Sequence, residues 1–254
     1  MRHIKADQHQ IRVADKNMEL LRSNPYSGRG IVIGLNEQGL GIQVYWISGR
    51  SANSQNRVLT QDGDRVCTEP ADPLAVLDPS LIIYNAMREH SALGSKLCAV
   101  TNGAQTDSLV SGRDPSLNTF ARTLEEWQYE PDAPNFTPRI SALSEVGDGH
   151  FDSRMSILRK RDRSDSCDHD TWHIFSRLYV GHCLTTYTGN GNPLPSFRGE
   201  PYLMPLYGTV NEIAWTYWDI LNRDTRVSLV VKGVDLVTMR SEVRIINRFE
   251  KVTR

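Results

Sequence analysis

Five short polar stretches punctuate the chain: NPYSGRG (24 to 30), GRSANSQNR (49 to 57), YNAMR (84 to 88), TNGAQTD (101 to 107) and TPRI (137 to 140). Four of them contain an arginine together with Gly, Ser, Thr or Asn. A guanidinium fork among backbone amides and hydroxyls donates several hydrogen bonds in fixed geometry, which suits a phosphate monoester or a planar carboxamide. Surface turns use the same residue types, so one such stretch alone is an ordinary turn. Five in order, each at the beginning or end of an expected strand, carry more weight. The loop between Arg50 and Arg57 has the composition of an anion cradle.

Two residues nearby have proton-transfer chemistry. Tyr84 falls in an expected strand in which Ile82, Ala86 and Arg88 project on the same side. Its ordinary role is a core ring whose hydroxyl finds a partner, but a phenol facing a ligand can donate or accept a proton. Glu130, in QYEPD, is a solvated loop carboxylate unless a cation or an apolar wall makes it a proton acceptor. In CDHDTWH (167 to 173), His169 and His173 would share a face only in a helix, whereas Thr171, Trp172, Ile174 and Phe175 read as a strand entrance. No Glu follows the first His, so no metal site is expected. TGNGNP lacks the Lys-Ser/Thr pair of a P-loop.

These residues need elements to position them. DKNMELLRS (15 to 23) reads as a short helix capped by Asp15 and halted by Asn24-Pro25. GIVIGL and GIQVYWI, joined by NEQG, read as a hairpin, with Ile42, Val44 and Trp46 on one face and Gln43, Tyr45 and Ile47 on the other. LIIYNAMRE (81 to 89) and KLCAVT (96 to 101) continue the strand pattern. Asp114-Pro115 marks a helix start, with Leu117, Phe120, Ala121, Leu124 and Trp127 on one side. RISALSEV, SRMSILRK, HIFSRLYVGHCLTTY, RVSLVVK and EVRIINRFEKV are further strands. Residues 210 to 221 form a helix with a Thr209/Glu212 capping box and a stripe of Val210, Ile213, Ala214, Tyr217 and Trp218. Residues 159 to 170 read as a solvated hairpin loop, and the Gly/Pro-rich stretch 187 to 201 as a long loop of the kind that lines sites. Many strands apolar on both faces, with few helices, predict an α+β layering of stacked sheets with helices outside.

With 254 residues, 39% hydrophobic and 23% charged, the chain has the composition of one soluble domain. A net charge of −1 argues against a general basic field for nucleic acid or anionic membrane, so an anion site must be local. No stretch approaches the roughly 18 apolar residues of a membrane span. The beginning of the chain lacks a signal-peptide core, and a cytoplasmic location is expected. Cys67, Cys98, Cys167 and Cys183 are widely spaced, never form C-x-x-C, and read as buried reduced thiols.

Taken in order, YSGRGIVIGL, VYWISGRSANSQNR, YNAMR, VTNGAQTD and YEPDAPNFTPRI resemble the archaeal-type IMP cyclohydrolase family over much of residues 26 to 143, and more weakly beyond 145. The resemblance implies a four-layered αββα sandwich like that of the N-terminal nucleophile hydrolases, though without their N-terminal Ser, Thr or Cys, since the chain begins Met1-Arg2. It implies closure of the purine ring of 5-formamidoimidazole-4-carboxamide ribotide to IMP and water. Arg57, Tyr84 and Glu130 fall on the family's functional arginine, tyrosine and glutamate; Arg29, Arg50, Ser51, Asn102, Gly103, Thr106 and Arg139 become candidates for the ribose phosphate and base edges. No metal or organic cofactor is implied, and homo-oligomers are expected. The whole of 1 to 254 is expected to form one domain, with 1 to 23 an N-terminal extension. Two other readings stand beside this one: a nucleotide-binding protein of the same fold without turnover, and an amidohydrolase acting on a different substrate through a Ser or Thr nucleophile.

Overall fold

The computed structural model describes residues 3–76, 82–112 and 114–251. Helix α1 (Gln8–Ser23) starts well before Asp15, because Asp7 and Gln10 form the true capping box: the Gln10 amide donates to Asp7 Oδ1 at 2.8 Å and the Asp7 amide to Gln10 Oε1 at 3.1 Å. The helix ends at Asn24, as the following proline requires.

Strands β1 (Arg29–Leu35) and β2 (Gly41–Ser48) form the expected hairpin. The remaining strands are β3 (Val58–Asp62), β4 (Arg65–Glu69), β5 (Tyr84–Ala92), β6 (Ser95–Thr101), β7 (Arg139–Gly147), β8 (His150–Lys160), β9 (Cys167–Ile174), β10 (Val180–Thr185), β11 (Tyr202–Pro205), β12 (Arg226–Val234) and β13 (Ser241–Asn247). They make two antiparallel sheets, one of six strands in the order β11-β10-β1-β2-β12-β13 and one of seven in the order β3-β4-β5-β6-β7-β8-β9.

Three apolar clusters define the layers. Ile31, Ile33, Tyr45, Ile47 and Val230 of the first sheet pack against Ala86, Met87, Val100, Ala142 and Ile157 of the second. On the outer face of the first sheet, Val32, Ile42, Val44 and Trp46 meet Met18 and Leu21 of α1 and the stripe of α5 (Val210–Ile220). On the outer face of the second, Leu97, Ala99 and Leu143 meet Leu109 and Val110 of α3 (Gln105–Ser111) and Phe120 and Leu124 of α4 (Phe120–Leu124). The order is helix, sheet, sheet, helix. Both apolar faces of β2 are thereby covered, as its alternation demands. Gly30 lets Trp46 cross the hairpin, since a Cβ there would lie 1.9 Å from the indole.

Several sequence expectations are corrected. The helix after Asp114-Pro115 is confined to α4, and Ala121 is exposed although Leu117, Phe120 and Leu124 are buried. Half of the charged stretch 159 to 170 is strand, because β8 and β9 pair from Lys160 and Cys167 onward. HIFSRLYVGHCLTTY is two strands in different sheets, separated around Phe175 to Tyr179. Cys98 and Cys183 are buried, but Cys67 and Cys167 only partly so. Among the described residues no helix is long and apolar enough to cross a membrane.

His182, on β10, has a buried Nδ1 with no partner among the described residues. Burial, aided by Arg177, lowers its pKa from 6.5 to about 4. Between these values the unfolded chain holds a proton that the fold does not. The stabilisation is therefore present above about pH 6.5 and lost as the pH falls toward 4, a difference of about 3 kcal/mol. Urea unfolding at pH 7 and pH 4.5 measures it against His182→Phe, which is expected to lose less stability on acidification; an equal loss in the variant would place the sensitivity elsewhere.

Candidate active site

The elements converge at one end of the layer between the sheets. Arg29 opens β1, Arg57 precedes β3, Tyr84 opens β5 and Arg139 opens β7, while Glu130 lies in the segment leading to β7. Arg29, Arg57, Tyr84 and Glu130 are all buried, at 8, 6, 7 and 3% exposure. Arg29 Nη2 lies 3.1 Å from Glu130 Oε2, and Arg139 Nη1 lies 4.0 Å from Glu130 Oε1. The Tyr84 hydroxyl is 2.7 Å from that of Tyr45, a residue of β2 that the sequence marked only as part of an apolar face.

The electrostatics couple these groups to one another. Burial works against the Arg29 charge, but Glu130, Tyr84, Tyr187 and Tyr45 together hold its pKa well above the usual arginine value. Burial raises the Glu130 pKa; Arg29, Arg139 and Arg57 oppose it without cancelling it. Burial, then Tyr84, holds the Tyr45 phenol well above its usual value. Three guanidiniums thus act on Glu130, and a second carboxylate, Asp132, opposes them with an influence ahead of that of Arg57. Arg29 Nε and Arg57 Nε are buried with no hydrogen-bond partner among the described residues. Unfilled cationic donors at a buried site are costly unless a ligand completes them.

The stretch between Arg50 and Arg57 folds as a single turn, α2 (Ala52–Gln55), capped by Ser51, whose hydroxyl accepts the Ser54 amide at 3.2 Å. Ser51 and Arg50 are exposed. The Arg50 guanidinium lies 5.0 Å from the Tyr26 ring centre, and its Nη1 donates to Asn190 Oδ1 at 2.5 Å and to the Gly191 carbonyl at 2.9 Å. Arg50 therefore ties the loop 187 to 201 instead of joining the buried cluster.

Asn102, Gly103 and Thr106 hold the end of β6 to the start of β7. Asn102 Nδ2 donates to the Pro138 carbonyl at 2.9 Å and its Oδ1 accepts the Ile140 amide at 2.8 Å. Thr106 is fully buried and bonded to Thr101 Oγ1 at 2.6 Å. Gly103 makes room for Arg139, because a Cβ there would lie 2.2 Å from Arg139 Nη1. Arg139 is fixed further by Nε to the Gln128 carbonyl at 2.9 Å, by Nη1 to Gln105 Oε1 at 3.1 Å, and by the Trp127 ring 5.2 Å away. These residues position Arg139.

The expected shared face of Tyr84 and Arg88 is overturned. A register shift between β4 and β5 turns the strand, so Tyr84, Ala86 and Met87 face the inter-sheet core while Asn85 Nδ2 and Arg88 Nη1 each reach Asp107 Oδ1 on α3 at 2.8 Å. Sequence reasoning also missed Tyr187, whose hydroxyl lies 2.5 Å from Thr137 Oγ1; Thr137 in turn donates to Asp132 Oδ2 at 2.5 Å. A cavity of about 450 Å³ between α1 and the loop 187 to 201 has Tyr187 in its wall but none of Arg29, Arg57, Tyr84 or Glu130. Among the described residues no group of three or more His, Cys, Asp or Glu is placed to hold a metal ion.

The chain is thus an α+β layered sandwich of two antiparallel sheets that carries arginines, carboxylates and paired phenols at one end of its inter-sheet layer. The chain belongs to the IMP cyclohydrolase-like protein family, whose model matches residues 26–236. It is 31% identical over 121 residues to an IMP cyclohydrolase of Methanococcus aeolicus. That match spans 46% of this chain and 57% of the archaeal protein.

Proposed function

We propose that the chain closes the purine ring of 5-formamidoimidazole-4-carboxamide ribotide, forming IMP and water. The observation that carries this reading is the buried set of Arg29, Arg57, Tyr84 and Glu130 with the half-buried Arg139 beside it, its excess of positive charge and its unfilled guanidinium donors. The family and the name of the archaeal relative support the same substrate class. In this reading residues 1 to 254 act as one domain, with α1 an extension packed on β11 and β10.

Nucleophile and electrophile are parts of one molecule, so the site gains less from proximity than a bimolecular enzyme does and must supply chemistry. A neutral carboxamide nitrogen is a poor nucleophile. Arg57 stabilises the oxyanion that develops on the formyl oxygen, and Glu130 and Tyr84 orient the carboxamide and move protons. The raised pKa of Glu130 brings its basicity nearer to neutral pH, where an acceptor is most effective. Arg29 and Arg139 keep Glu130 in place and add positive potential. In this reading the exposed Arg50 and Ser51, beside the loop 187 to 201, serve the ribose phosphate, and Asn102, Gly103 and Thr106 act through Arg139.

The direct test is incubation of purified protein with the ribotide, following IMP by its ultraviolet spectrum against a no-enzyme control. Conversion well above the spontaneous rate is expected. IMP at a hundred times its dissociation constant is expected to stabilise the fold by about 2.7 kcal/mol. Stabilisation by IMP without turnover would replace this reading with that of a binding protein.

A further inference from the structure

We infer that Tyr45 is a positioning residue for Tyr84: its hydroxyl donates to Tyr84 Oη and so leaves the Tyr84 proton free for the substrate. This rests on the ring-closing reading and deepens it by assigning the two proton roles. Tyr45 is fully buried in the layer between the sheets, and its Oη lies 2.7 Å from Tyr84 Oη. Distance alone allows either hydroxyl to be the donor. The surroundings separate the two cases.

If Tyr84 donated, the Tyr45 proton would have no acceptor among the described residues, because Tyr84 Oη is the hydrogen-bond partner its hydroxyl has there. The register partners of Tyr45 are Ile31 and Val230, and both belong to the apolar layer between the sheets. A buried donor without an acceptor costs more than an unfilled lone pair. With Tyr45 donating, only lone pairs are left over, and the positive charges of Arg29 and Arg57 act favourably on them. Tyr84 is less sealed: it retains 7% exposure and opens β5 at the end of the sandwich where Arg29, Arg57 and Glu130 gather. Its proton is directed there.

The roles then separate. The carboxamide nitrogen bonds to the formyl carbon as Glu130 takes one of its protons. The C=O electron pair moves to oxygen beside Arg57. Tyr84 gives this oxygen one proton and Glu130 returns the other, so the C–O bond breaks with loss of water. The formamido nitrogen, now double-bonded to carbon, releases its proton to restore Tyr84. Two N–H protons leave with one oxygen, and no electrons are exchanged. Tyr45 keeps its own proton throughout.

Wild type, Tyr45→Phe, Tyr84→Phe and the double variant, assayed on the ribotide, test the assignment. Tyr45→Phe is expected to lower kcat about tenfold while KM and IMP affinity stay within about twofold. In the Tyr84→Phe background the same change is expected to alter kcat by less than about twofold, because the hydroxyl it acts through is gone. Incorporation of 3-fluorotyrosine at Tyr45, which keeps ring and hydroxyl but makes the hydroxyl a stronger donor, is expected to preserve kcat and to move the alkaline limb of its pH profile to lower pH; a limb that does not move decides against the inference should Tyr45→Phe fail to fold. Equal losses in both backgrounds, an unchanged kcat in Tyr45→Phe, or a tenfold loss with 3-fluorotyrosine would overturn the inference and leave the ring-closing reading standing. A wild type without turnover would overturn both.

Discussion

Arg57→Ala is expected to slow ring closure by at least about a hundredfold, the loss that follows removal of one oxyanion donor. The structure makes this substitution unusually clean. Arg57 is buried, its Nε has no partner among the described residues, and the hydrogen bond from Ser228 Oγ at 3.4 Å ends on its backbone carbonyl, which alanine keeps. A side chain engaged mainly in waiting for a ligand contributes little to the fold, so the melting temperature of the variant should stay close to that of wild type. Arg57→Lys retains the charge but not the fork, and is expected to fall between the two in kcat. The measurement is a steady-state assay with wild type, both variants and the uncatalysed control. If Arg57→Ala closes the ring within about threefold of wild type, the oxyanion role belongs to another group.

The separation between what the sequence reveals and what it conceals follows the range of the interactions. The hairpin of β1 and β2 and the capped helix α5 were legible because their signals are local: alternation over a few residues, a tight turn, Thr209 with Glu212. The start of α1 was misread because its cap, Asp7 with Gln10, precedes a polar stretch, QHQ, that carries no apolar stripe. Strands β3 and β4 were missed because VLTQD and RVCTE are short and partly exposed near a sheet edge. For the site, residue types at strand ends mark Arg29, Arg50, Arg57, Arg88 and Arg139 alike, and the family resemblance is what singles out Arg57, Tyr84 and Glu130. The partners did not follow. Arg29 and Glu130 are 101 residues apart in the chain and belong to opposite layers, so their ion pair exists only once both sheets have stacked. Tyr45 was hidden for the opposite reason: it sits in the middle of a well-read strand, where an aromatic residue looks like core until its hydroxyl is found beside Tyr84. The polar turns at TNGAQTD were legible as special, but their part in holding Arg139 depends on β7 returning beside β6.

Arg29→Met is expected to destabilise the protein by about 3–5 kcal/mol near neutral pH, far more than Arg57→Ala, although both remove a buried arginine. The difference lies in what is left behind. Methionine fills much of the same space, but Glu130 stays buried and loses the guanidinium 3.1 Å away. Arg139, at 4.0 Å, offsets only part of that loss, and it is itself held by Gln128 and Gln105. The pH dependence identifies the cause. Burial already raises the Glu130 pKa, with Arg29 the strongest opposing influence, so the variant must raise it further. Between its unfolded value of about 4.3 and its raised folded value, the native state then binds the proton that the unfolded chain has lost. More protons on the native state mean that stability falls as the pH rises through that window. The defect should therefore be smallest below about pH 4 and grow toward neutrality. Urea unfolding of wild type and variant at pH 4 and pH 7.5 measures it, and Glu130→Gln added to Arg29→Met should remove most of the pH dependence by removing the charge. A loss that is the same at both pH values would mean that Arg29 stabilises the sandwich through packing alone, and the carboxylate would need another source of order.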